Sequence, residues 1–279
     1  MAAMSLPALA PLVTALVLAE LAAGTLAATL LSDLGGDVGR GFVGTTAMIC
    51  VAILGTDLVL LAFLPDPAQL LHSGAVDAGH YASFVHWLVG STAAAFAYAL
   101  FSAVGTDPAR RVVGAVTVAC GGVALANAAL AFGGALGGGG RAALAFAPAA
   151  LLCGSALCGM LLGHWYLIAP DLTFRPLRRA VYLVFVAVAV QVATIGSALA
   201  VADPAARHSV VGGHYAVSFW LLVVLAGLVF TAAVNALTLY FARIRANQPA
   251  TAMLYVLIIT VLMGTVPGHL LFFLTRVPV

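Results

Sequence analysis

The chain contains no lysine, and its 279 residues carry only eleven arginines and nine acidic side chains. Soluble domains are roughly 25% charged and about 45–50% apolar. Here the fractions are 7% and 64%, with a mean hydropathy of +1.16. So few charges cannot cover a water-facing surface, which excludes a cytosolic enzyme, a secreted scaffold and a disordered tail. The net charge of +2 is small and dispersed, so no nucleic-acid partner is expected. Cys50, Cys120, Cys153 and Cys158 all fall in apolar runs without CxxC spacing, so neither a disulfide framework nor a zinc site follows. There is no Walker loop, GxGxxG, HExxH or nucleophile elbow. The GGGG at 137–140 has one arginine beside it, too little to hold a phosphate.

What is present is an all-α, polytopic membrane protein. A spanning helix needs about 20 predominantly apolar residues. Eight segments qualify, at about 8–31, 42–64, 80–104, 111–135, 142–168, 180–201, 214–241 and 251–274. The breaks between them are short and rich in Gly, Pro, Asp and Arg, leaving no room for a soluble domain. The first segment lacks a positive n-region and carries Glu20 where a signal peptide would be purely apolar, so it reads as a mature helix. Arg40, Arg110, Arg111, Arg175, Arg178, Arg179, Arg243 and Arg245 lie on one side, against Arg141, Arg207 and Arg276 on the other. By the positive-inside rule the first set is cytoplasmic, with both termini external in a bacterial inner membrane.

GHYASFVHW at 79–87 and GHYAVSFW at 213–220 open the third and seventh segments. At the same offset Asp57 corresponds to Gln191, and the DP of 66–67 lies near that of 203–204. The pattern predicts two four-helix bundles related by duplication, spanning 1–136 and 137–279. Small residues at spacing four (Ser155, Gly159, Gly163; Thr260, Gly264, Gly268; Gly90, Ala94 after His86) predict close helix crossings.

Polar groups inside spans are costly, and each is a functional candidate. Counting at about 1.5 Å per residue from the external helix ends puts Asp57, His86, Asn127 and His269 in one layer about 8–10 Å deep. Glu20 and Gln191 fall lower, near the midplane, while His80 and His214 mark the external boundary, as interfacial residues or as cofactor contacts that ligate haem or dock an external electron carrier. His86 and His269 have three open readings: axial ligands of one haem iron, hydrogen-bond partners of a quinone, or satisfied core histidines. No arginine lies within a span to pair with Asp57 or Glu20, which points these acids toward proton handling. Asn127, Gln191 and Asn235 read first as interhelical glue. His164, in GHWYLIAPDL, stands near the opposite face beside an aromatic belt.

In span count, length and duplicated organisation the chain resembles the NrfD- and DmsC-like membrane anchors of bacterial redox complexes. That resemblance implies two four-helix bundles, quinol as electron partner and an attached iron–sulfur subunit, and no residue role is carried over; haem b, as in di-haem cytochrome b-like subunits, rests on the histidines alone. The expected function is therefore an electron-transfer membrane subunit with an external-side pocket. A proton-coupled solute transporter using Glu20 and Asp57, with helices unwound near the midplane, is the alternative, as is a ligand-free assembly protein.

Overall fold

The structure, a computed structural model, describes residues 6–64, 76–169 and 172–279, with side chains from Leu9 onward. The DP of 66–67 and the PD of 170–171 lie outside the described residues. Among those residues there are nine helices and no strand. They are α1 (Leu6–Leu34), α2 (Arg40–Phe63), α3 (Ala78–Val104), α4 (Asp107–Leu136), α5 (Gly139–Ile168), α6 (Arg175–Val201), α7 (Pro204–Val211), α8 (Ala216–Arg243) and α9 (Asn247–Thr275). All but α7 are long and apolar enough to cross a membrane, so the protein is an integral membrane protein in contact with lipid. The short α7 falls in what the sequence presented as a loop. Asp203 caps it by accepting from the backbone N–H groups of Ala205 and Ala206.

Helices α1–α4 pack as one ring, each against its chain neighbours, with α1 closing on α4. Helices α5, α6, α8 and α9 form a second ring in the same way, α9 closing on α5. The rings share a broad α1–α5 face, and these two helices are the most enclosed of the eight. At that face the backbones of Gly24 and Gly154 nearly touch: a Cβ on Gly24 would stand 1.8 Å from the Ala150 carbonyl oxygen. Without a hydrophobic force between helices in lipid, such close approach is what van der Waals attraction needs. This crossing is absent from the stripes expected in the sequence. Two of those stripes do pack: Gly163 on Leu254 and Thr251, and Gly264 on Gly227. The third does not, since Gly90 has nothing near it but its own Trp87 and His86 is exposed.

The α4–α5 reversal takes only two residues. Gly137 is left-handed (φ 83°) and Gly138 has φ 128°, conformations that favour glycine, and a Cβ on Gly133 would meet the Gly139 nitrogen at 2.7 Å. Within α8, Phe219–Phe230 is a π-helix, twelve residues of a form that usually occupies single turns. Its end is held by Thr231, whose hydroxyl donates to Thr260 Oγ1 at 2.9 Å while Thr260 donates to the Leu257 carbonyl. Helix α6 packs on the Thr231–Arg243 half of α8, whereas the π-helical half packs chiefly on α9.

Candidate functional site

Glu20 sits on α1 and His269 on α9, and they meet where the two rings join. His269 Nε2 lies 2.8 and 2.9 Å from the two Glu20 carboxyl oxygens, with both residues buried. A carboxyl and an imidazole both removed from water need each other, because an unpaired polar group there carries its full desolvation cost. The edge of Phe146 packs on the imidazole, with centroids 5.5 Å apart, and fixes its plane. The other ring nitrogen, Nδ1, is buried and without a hydrogen-bond partner. It belongs to a residue lining a cavity of about 20 Å³, with room for about one water, shared with Gln191, Thr265, Gly227, Gly264 and Val279. Gln191 Oε1 is likewise buried and unpartnered. A second groove of about 300 Å³ runs at the same end of the molecule among α5, α6 and α7, lined by Arg141, Asp203 and Arg276. Val277 and Pro278 line that groove and Val279 the His269 cavity, so the last residues stand between the two.

The depth count placed Glu20 well below His269; their hydrogen bond puts them at one level. Counting from helix ends ignores how the helices tilt and stagger against one another. Glu20, His269 and Gln191 thus come together, and the remaining candidates do not join them. His86 is exposed, its Nδ1 2.6 Å from the Ala82 carbonyl of its own helix. The two histidines read as axial haem ligands therefore occupy different surroundings, one facing outward and one buried against Glu20. Asn127 Oδ1 receives the His80 ring Nδ1 at 3.1 Å, a link between α3 and α4 on the outside of the first ring. His214 is exposed and packs its ring on Tyr215. His164 is also exposed, 3.4 Å from the Tyr255 hydroxyl. Asn235 acts as glue, donating to the Val181 carbonyl at 2.9 Å.

Asp57 is buried in the first ring with neither carboxyl oxygen bonded. The Ser91 hydroxyl, on α3 of the same ring, is also unpartnered and lines a separate small cavity with Leu54 and Gly121. Asp57 thus remains a candidate for carrying a proton, apart from the Glu20–His269 pair. No family model, curated protein or solved structure matches the chain. Among the described residues no group of three or more His, Cys, Asp or Glu is arranged to hold a metal ion.

One polar cluster escaped the sequence reading. Arg110, expected in a loop, is buried in the first turn of α4, where Nε and Nη2 both donate to the Asp33 carboxyl at 3.0 and 2.5 Å. Tyr98 also donates to Asp33, and Asp107 bridges Arg110 to Arg40. Bidentate geometry and the added hydroxyl satisfy a charge that burial would otherwise penalise. The available signal was that Asp33 and Arg110 fall at span ends on the same side. On the other face, Asp77 caps α3 by accepting from the His80 backbone N–H at 3.0 Å. That bond holds its carboxyl below the ordinary carboxylate range.

Proposed function

We propose that this protein is a quinone-reactive membrane subunit of an electron-transfer complex, with Glu20 and His269 as its proton-handling pair. The single observation that carries the reading is the buried imidazole with one nitrogen spent on a carboxyl and the other unspent, beside a cavity. Such a ring is a two-ended proton carrier. Nδ1 would hold a quinone oxygen by a hydrogen bond, and Nε2 with the Glu20 carboxyl would hold and pass on a proton. Gln191, whose Oε1 is unpartnered, lines the same cavity and adds a second polar group to it. The donor set suits a quinone's oxygens, but the cavity at about 20 Å³ is water-sized. A headgroup would need more room than that, and α6 and the π-helical half of α8 pack little on each other beside it. A quinone bound there supplies two-electron chemistry; the chain itself binds, orients and moves the proton.

A haem held between His86 and His269 fits less well, because the His86 ring faces outward and bonds its own helix. The midplane-unwinding expected of a transporter is also less supported: Pro148 and Pro267 sit inside continuous helices. In this reading the protein lies in a bacterial inner membrane with the arginine-rich loops cytoplasmic and both termini external.

The test is a binding titration of purified protein in nanodiscs with a soluble quinone analogue, followed through tryptophan fluorescence. Saturable quenching, weakened about tenfold or more in His269→Ala, is the expected result, since a hydrogen bond to a buried group is worth that much. A Soret band in the purified protein would assign haem instead. Absence of quinone binding, with proton-driven solute uptake abolished by Glu20→Gln, would replace the proposal with a transporter.

A further inference from the structure

We infer that the cleft between the α5–α6 and α8–α9 connections is a binding site for a phosphate oxyanion, independent of the proton site. The cleft holds about 710 Å³ and is lined by Arg175, Arg178, Arg243 and Arg245, with Leu172, Thr173, Phe174 and Ala242 completing the wall. Four arginines, two in the first turn of α6 and two at the end of α8 and the turn after it, line one space with no acid among the described lining residues. Arg175, Arg178, Arg243 and Arg245 make no ion pair among the described residues, and Arg243 donates to the Tyr182 hydroxyl at 3.4 Å. The contrast with Arg179 is informative: one position along α6, it is neutralised by Asp37 at 2.8 Å and does not line the cleft. Asp171, next to the cleft in sequence, lies outside the described residues. Like charges gathered without counter-charge repel unless an anion joins them.

The walls are built. Phe174 stacks on Tyr166 with centroids 5.0 Å apart and planes 17° from parallel, and the Tyr166 hydroxyl donates to the Thr173 carbonyl. On the far wall the chain turns sharply through Arg245 (φ 58°), closed by Ala246 N–H donating to the Phe241 carbonyl at 2.9 Å. Both walls stand where spans end, the level at which lipid phosphates lie. Arginine's planar fork matches phosphate oxygens in pairs, and basic pockets between spanning helices recognise anionic headgroups. The ligand is therefore a phosphate group, borne by an anionic phospholipid or free in solution.

The experiment uses the full chain in detergent, with native mass spectrometry and thermal unfolding as readouts. Phosphatidylglycerol, phosphatidylcholine and inorganic pyrophosphate are added separately. Selective retention of phosphatidylglycerol with a raised melting temperature assigns the lipid source, and retention of pyrophosphate assigns the free one. In either case Arg178→Gln/Arg243→Gln should weaken binding about tenfold or more, while Arg207→Gln/Arg276→Gln on the opposite face leaves it unchanged. Should the first double variant fail to fold, Arg175→Gln/Arg245→Gln, both exposed, gives the same loss. No binding of either ligand, or equal loss in the opposite-face control, overturns the site.

Discussion

His269 touches Glu20 through one nitrogen and keeps the other free, so removing either partner strands a buried polar group. His269→Ala should lower stability by about 3–5 kcal/mol, the usual cost of breaking a buried pair by one side. Glu20→Gln retains an oxygen that accepts from Nε2 and should cost clearly less; thermal unfolding in detergent compares them, and equal losses would deny the hydrogen bond its role. The same reasoning applies to Arg110→Ala, which leaves Asp33 buried, with a loss of about 3–5 kcal/mol. Asp33→Asn/Arg110→Met should recover much of that loss, because no uncompensated charge remains. Asp77 gives a pH signature. Its carboxyl is depressed by the His80 backbone N–H, so the cap is complete above its ordinary value of 3.8 and is lost as pH falls through the lower folded value. Protection of the His80 amide, its exchange relative to the unprotected rate, should fall only in that acid range, and Asp77→Ala should show the lower protection at neutral pH.

Helix contacts carry the next set of consequences. At the α1–α5 crossing the backbone is so close that any side chain larger than hydrogen at Gly24 must push the rings apart. Gly24→Val should therefore abolish the monodisperse folded species in size-exclusion chromatography. Gly196→Val, where a Cβ meets nothing within 4 Å, should leave the profile unchanged. Pro148 and Pro267 lie inside continuous helices, as spanning helices tolerate. The π-helical half of α8 is where the second ring departs from regular geometry, and it borders the cavity of His269 through Val223, Gly227 and Leu228. Periodicity could not announce it, since a uniformly apolar run of twelve residues has no polar side to set a period.

For the molecule as a whole, the proposed orientation has the arginine-rich loops in the cytoplasm and Arg207 outside. Cysteines introduced singly at 207 and at 178 should label from opposite sides of the membrane with an impermeant maleimide, position 207 from outside. Labelling of 178 from outside would invert the topology. Cys50, Cys153 and Cys158 are buried and should stay unlabelled in the folded protein, and the partly exposed Cys120 is replaced by Ser to give a quiet background.

Composition and apolar run length settled the eight spans and their approximate ends, because water cannot tolerate such runs and lipid demands them. They also flagged Glu20, His269, Gln191 and Asp57 as costly. Pairing was beyond their reach. Glu20 and His269 are 249 positions apart, and only the tilt and stagger of α1 against α9 bring them level, while His86 turns outward by a rotation of α3 that its position in the sequence does not specify. Likewise Asp33 and Arg110 look like loop charges until the packing of α1 on α4 buries them together. Local hydropathy fixes where a chain enters and leaves the bilayer; which faces meet depends on backbone contacts between distant helices, and that is decided only when the rings assemble.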